Sequence, residues 1–298
     1  MTIDARKISA LGARTRVLES GDPQAEEAVI FLHGQPGSAD DWLDLMERAA
    51  PLGRLVAFDW PGWGEAERPD PSTWDYSAGG GATYLAAVLD QLGIRRAHLV
   101  MHDLGGIGLL WGAAHPEAFA SAALINTGVL AGFRWHPLAR LMRIPVLGYA
   151  LLPLTTRLMF RVIVRYYNPQ PRRLPREVVE RWWSQYTLPT RRAMAAFYRA
   201  TPAGAFERLR EPLAKRDVPA LILWGAHDPA IPVAQAWRQR ESFPSAEVVV
   251  LEQSGHWPYL DDPEASAAVV IPFLERELKG SAEAAGDDPA TLIQPAAR

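Results

Sequence analysis

The stretch 97–114 constrains this chain more than any other. Leu99, Val100 and Met101 form a continuous apolar run, as expected of a strand buried on both faces. Asp103 follows, then Gly105 and Gly106, then the apolar, helix-compatible run 107–114. A strand that turns this sharply into a helix needs small residues where the two nearly collide. Gly105 and Gly106 meet that need on the helix side, whereas Met101 on the strand side is not small. The helix presents free N–H groups and its positive dipole end to the apex, which favours an ionised Asp103. Asp is also a favoured helix cap, so this stretch alone leaves two roles open: a capping residue, or a carboxylate held ready to attack.

The same rhythm recurs along the chain. Residues 8–19 alternate loosely and predict one or two edge strands. Residues 28–32 are a short apolar run that ends in His33-Gly34-Gln35-Pro36-Gly37, with a helix predicted from about Asp40 or Asp41. Residues 52–59 lead into Trp60-Pro61-Gly62-Trp63-Gly64, and a helix follows over 81–92. Further strands are predicted over 121–126, 218–224 and 247–251, and a last helix over 263–278. Strands alternating with helices at this spacing predict an α/β fold with a mostly parallel, doubly wound sheet. Between about 131 and 211 the rhythm stops, and only helical periodicity is found, as in 177–186 and 191–200. The predicted organisation is therefore a sheet core over 1–131 and 212–279, with a helical cap inserted over 132–211. Residues 280–298 are small and polar and predict a disordered tail.

Composition narrows the function. The net charge of −3 gives no reason to expect nucleic acid or an anionic membrane as partner. There is no cysteine, hence no disulfide framework and no thiolate chemistry. The first residues carry charges without the apolar core of a signal peptide. The longest apolar stretch, 138–158, is interrupted by Arg140, Arg143, Pro145 and Pro153. A cytoplasmic location, no membrane partner and a monomer or homodimer are the resulting expectations. No His, Asp or Glu cluster has metal-ligand spacing and no glycine loop would cradle a phosphate, so neither metal nor cofactor is expected. Eleven tryptophans suit an apolar cavity for a small apolar substrate.

Ligands of such sheets bind beyond the carboxyl ends of the strands. Two further strands end in Gly225-Ala226-His227-Asp228-Pro229 and, a few residues on, Ser254-Gly255-His256-Trp257-Pro258. The chain order Asp103, Asp228, His256 is nucleophile, acid, histidine. His256 has the right intrinsic basicity to activate water, and Asp228 would fix its tautomer. A carboxylate nucleophile attacks a saturated carbon, which opens an epoxide or displaces a halide and leaves an alkyl ester on the protein. His227 reads as a loop residue, and His33, His98, His102, His115 and His136 as structural or solvated.

These motifs, together with His33-Gly34-Gln35-Pro36 and Asp59-Trp60-Pro61-Gly62-Trp63-Gly64, make the chain similar to α/β-hydrolases of the epoxide hydrolase and haloalkane dehalogenase group. The resemblance implies an α/β-hydrolase fold and an oxyanion hole from the backbone N–H groups of Gln35 and Leu104. In epoxide hydrolases two cap tyrosines donate to the ring oxygen. Tyr198 resembles the second, and Tyr149 stands at about the right distance for the first, with Tyr166, Tyr167 and Tyr186 as rivals. Dehalogenases usually carry a Trp directly after the nucleophile, where this chain has Leu104; Gln35 and a cap Trp, Trp182 or Trp183, are the remaining halide donors. Trp182, Trp183 and Trp257 are expected to line the substrate pocket. Loss of the Trp donor tips the expectation toward epoxide hydrolysis, with haloalkane dehalogenation as the alternative. An ester or lactone hydrolase, or a non-catalytic binding protein, fits the intact Asp-Asp-His set less well.

Overall fold

The computed structural model describes residues 2–169, 174–202 and 204–286. Eight strands form one sheet: β1 Asp4–Ala10, β2 Ala13–Ser20, β3 Glu27–Leu32, β4 Leu55–Phe58, β5 Arg96–His102, β6 Phe119–Ile125, β7 Ala220–Gly225 and β8 Glu247–Leu251. Their order across the sheet is β1-β2-β4-β3-β5-β6-β7-β8. β1 and β2 run antiparallel at one edge, and the strands from β4 to β8 run parallel. Residues of β3 to β7 are almost wholly buried, which is why they read as continuous rather than alternating apolar runs.

Helices α1 Leu43–Ala49, α2 Ala78–Gln91 and α3 Gly108–Ala114 connect the first half of the sheet. Helix α2 begins before its predicted start. Ser77 caps it through the Gly80 N–H, and a Cβ on Gly80 would lie 2.2 Å from the Asp75 carbonyl. Gly80 is thus required by packing. After β6 come α4 Pro137–Met142, α5 Leu147–Leu151, α6 Arg157–Tyr167, α7 Arg176–Gln185 and α8 Leu188–Ala200, with no strand among the described residues before β7. The predicted cap segment is therefore helical. Helices α9 Arg210–Arg216, α10 Ala234–Arg238, α11 Pro258–Asp261 and α12 Pro263–Gly286 complete the chain.

The C-terminal expectation needs correction. Helix α12 continues through Gly286, so the predicted tail is helical over its first residues, and 287–298 lie outside the described residues. Three of the seven residues over 280–286 are Ala, the strongest helix former. Ser281 receives hydrogen bonds from Arg96 at 3.3 and 3.2 Å.

Candidate active site

The parallel registers place the carboxyl ends of β3, β5, β6, β7 and β8 side by side. At the end of β5, Asp103 adopts φ +47°, a strained conformation for a non-glycine residue. Neighbouring glycines make the turn possible. A Cβ on Gly105 would lie 2.1 Å from the Leu32 carbonyl, and one on Gly106 would lie 2.4 Å from Thr127 Oγ1. Space for the bulky Met101 comes from Gly108 in α3, where a Cβ would meet its sulfur at 2.8 Å. Thr127 Oγ1 donates to the Asp103 carbonyl at 2.8 Å, and the Gln35 N–H donates to Asp103 Oδ1 at 2.9 Å. Leu104, the next residue, is buried.

Asp228 leaves β7 and is buried with both oxygens bonded. Oδ1 accepts from the Ala230 and Ile231 N–H groups at 2.7 and 3.1 Å; Oδ2 accepts from Asn126 Nδ2 and His256 Nδ1, each at 2.7 Å. Asn126, at the end of β6, is anchored in turn by the Gly225 N–H at 3.0 Å. With Nδ1–H committed to Asp228, His256 turns Nε2 toward Asp103 Oδ2, 3.7 Å away. Burial disfavours the imidazolium, but the Asp228 and Asp103 carboxylates outweigh it, and the His256 pKa is pushed up to about 10. Burial alone would raise the Asp103 carboxyl; His256 and the Gln35 amide reverse that and hold it well below the usual carboxylate range.

The His256 main chain is held on both sides. Its N–H donates to the Tyr167 carbonyl at 3.3 Å, and its carbonyl accepts from His102 Nε2 at 2.8 Å. His102 Nδ1 then accepts from the Tyr259 hydroxyl at 3.4 Å. Burial and the charge on His256 push the His102 pKa down to about 3, so this neighbour is neutral.

Over these groups lies a cavity of about 120 Å³, lined mainly by apolar side chains and reached by Gln35, Leu104, Tyr198 and Trp257. Tyr198, Tyr167 and His136 also face it and are bonded to one another. His136 caps α4, where its Nδ1 accepts the Ala139 N–H at 3.3 Å. Nε2 therefore carries the proton and donates to Tyr198 Oη at 3.2 Å, while the Tyr167 hydroxyl donates to Nδ1 at 2.8 Å. This leaves the Tyr198 O–H proton uncommitted to His136. Burial lowers the His136 pKa to about 4 and raises both phenols above their ordinary value, so all three groups are neutral near pH 7.

Several sequence expectations are corrected. Tyr149 does not line the cavity; its ring lies under the Arg199 guanidinium at 3.7 Å, whereas its rival Tyr167 does line the cavity. Tyr166 is exposed, and the Tyr186 hydroxyl points to the Met194 sulfur at 3.9 Å. Trp182 and Trp183 do not line the cavity either. The Trp183 ring packs on Phe160 and beneath Arg191. Trp182 is wholly buried and donates to Asp41 Oδ1 at 2.9 Å, beside Arg181, which reaches the same oxygen at 2.6 Å. These bonds pin α7 to the core. Replacing Asp41 with Ala strands both donors, and urea unfolding is expected to show a loss of about 3 kcal/mol; a loss below about 1 kcal/mol would deny the pin. His136 and Asn126 are functional-site residues that sequence reasoning missed. A further one is Trp135, which lines the cavity and whose Nε1–H is buried without a partner. Among the described residues no group of three or more His, Cys, Asp or Glu could hold a metal ion.

Comparison with known proteins agrees with this architecture. A 2-hydroxy-6-oxononadienedioate/2-hydroxy-6-oxononatrienedioate hydrolase from Burkholderia vietnamiensis is 27% identical over 89% of this chain and 93% of its own length. A loop variant of a haloalkane dehalogenase from Bradyrhizobium elkanii superposes with a TM-score of 0.81 at 23% identity, covering 95% of this chain and 100% of that one. A bacterial membrane phospholipase A superposes with a TM-score of 0.69 at 25% identity, over 92% and 86% of the two chains. The alpha/beta hydrolase family model matches residues 29–269, and the chain belongs to that family.

Proposed function

We propose that this α/β hydrolase opens epoxides to vicinal diols through a covalent alkyl ester on Asp103. The observation that carries the reading is the Tyr198–His136–Tyr167 network set over Asp103 in an apolar cavity. Opening an epoxide creates an alkoxide, which needs a neutral proton donor near the attacked carbon. Tyr198 is that donor: His136 holds its oxygen from behind and leaves its proton available. The phenolate formed as the proton leaves faces the His136 Nε2–H, a hydrogen-bond donor already in place.

The nucleophile is divided in labour. Oδ1 is held by the Gln35 N–H and becomes the ester carbonyl oxygen; Oδ2 attacks the ring carbon as the ring C–O bond breaks. At rest His256 is an imidazolium between two carboxylates, which keeps Asp103 ionised. Esterification abolishes the Asp103 charge, so one of the two partners that raised the His256 pKa is lost. His256 then passes its proton through solvent to the Tyr198 phenolate, which restores the donor, and acts as base on a water that attacks the ester carbonyl carbon. The oxyanion collects on Oδ1, where the Gln35 and Leu104 N–H groups serve as the hole. One such donor contributes a factor of about 100–1,000 in rate. The tetrahedral intermediate collapses as its bond to the diol oxygen breaks, and that oxygen takes the proton from His256. The carboxylic acid left on Asp103 gives its proton back to His256.

Tyr198→Phe is expected to lower diol formation from styrene oxide by about 100-fold; an unchanged rate contradicts the assignment. Trp135 supports a second reading. A buried indole N–H without a partner at the cavity wall is also what a departing halide requires. Halide release from 1-bromobutane exceeding diol formation from styrene oxide would decide for that reading.

A further inference from the structure

Charge and apolar surface are segregated on the cap in a way the net charge conceals. Between Glu117 and Glu177 the sequence holds nine arginines and not one acidic residue. Ten large apolar side chains stand exposed among the described residues, and all but Leu11 and Trp237 fall within 144–166. Val146 is 80% exposed and Leu158 71%. Helix α6 organises the face. Leu158, Val162 and Tyr166 are spaced by four and form one exposed stripe; Arg157, Arg161 and Arg165 form the stripe beside it, with Arg157 and Arg161 both paired to Glu180 of α7, which leaves a net positive border. The opposite side of the helix, with Phe160, Ile163 and Val164, lines the cavity.

A soluble surface does not ordinarily gather so many exposed apolar groups. An apolar stripe bordered by arginines is the pattern of a helix that lies in a lipid interface, its apolar side among the acyl chains and its cations at the headgroups. Among the described residues no single helix is long and apolar enough to cross a membrane, and α6 stands at 106° to the segment Leu147–Leu154 before it. The geometry points to docking on a surface, not to spanning. We propose that the cap face built by α5 and α6 docks on an anionic lipid surface. A second copy of the chain fits less well: a symmetric pairing of this face would bring arginines together, and Glu180 beside them is already taken by Arg157 and Arg161 of its own chain. The proposal does not depend on which substrate the cavity takes.

The purified full-length protein is mixed with vesicles of phosphatidylcholine alone and with vesicles that also contain phosphatidylserine, and binding is read by co-sedimentation. Binding is expected with the phosphatidylserine vesicles only and is expected to weaken as salt rises. Arg157→Gln and Arg165→Gln are each expected to lower it about fivefold, and Leu158→Ser with Val162→Ser by about tenfold. All four side chains are exposed, so thermal melts of these variants should match the parent. No binding to anionic vesicles, or equal binding to neutral ones, overturns the proposal. So does light scattering that finds a dimer which Leu158→Ser with Val162→Ser converts to monomer.

Discussion

Asp103→Asn is expected to lower turnover by about 10,000-fold or more, the scale seen when a covalent nucleophile is lost. Asn is the same size and retains an oxygen for the Gln35 N–H, so the fold and the cavity remain. What disappears is the negative charge and the nucleophilic Oδ2. His256 loses one of its two carboxylate partners at the same time, so its pKa falls toward the ordinary range, a shift that NMR titration of the imidazole reads independently of activity. Steady-state assays on freshly purified variant check the rate, because slow deamidation would restore Asp. A wild-type rate at the earliest time point removes Asp103 from the chemistry.

The parts of the site that were legible are those whose backbone imposes a residue pattern. Strands buried on both faces must be apolar throughout, so β3, β5, β6 and β7 stand out in the sequence. The turn at Asp103 must have glycines, and Asp228 and His256 lie just past strand ends. Met101 looked out of place only because its compensating glycine, Gly108, lies in the next helix. The cap residues were not legible, since a helix periodicity gives a face without saying what it meets. Trp182 looked like a pocket aromatic, yet its indole N–H reaches Asp41, far away in the chain. His136 reads in the sequence as structural or solvated, and its part emerges only when α4, α6 and α8 bring it between Tyr167 and Tyr198. Asn126 ends a strand as many residues would; only the sheet order sets it beside Asp228.

Net charge is silent on arrangement. A value of −3 describes the sum and not the arrangement, and nine of the cationic residues belong to one stretch without acids. The expectation of no membrane partner rested on that sum, and the exposed face of α6 is the reason to test it.

His256→Gln separates the two halves of the proposed reaction. Gln cannot take a proton from water, so the alkyl ester should form and persist, while Asp103 stays ionised through the Gln35 N–H and the helix behind it. Hydrolysis of the ester is expected to slow by about 1,000-fold or more, against a smaller effect on ring opening, which uses Tyr198. Intact-protein mass spectrometry of His256→Gln after mixing with styrene oxide tests the covalent ester most directly. The result predicted is a protein heavier by the whole mass of the epoxide, because ring opening expels nothing, with the added mass on the peptide carrying Asp103. An unmodified protein, under conditions where the parent converts the same epoxide to diol, would contradict the account.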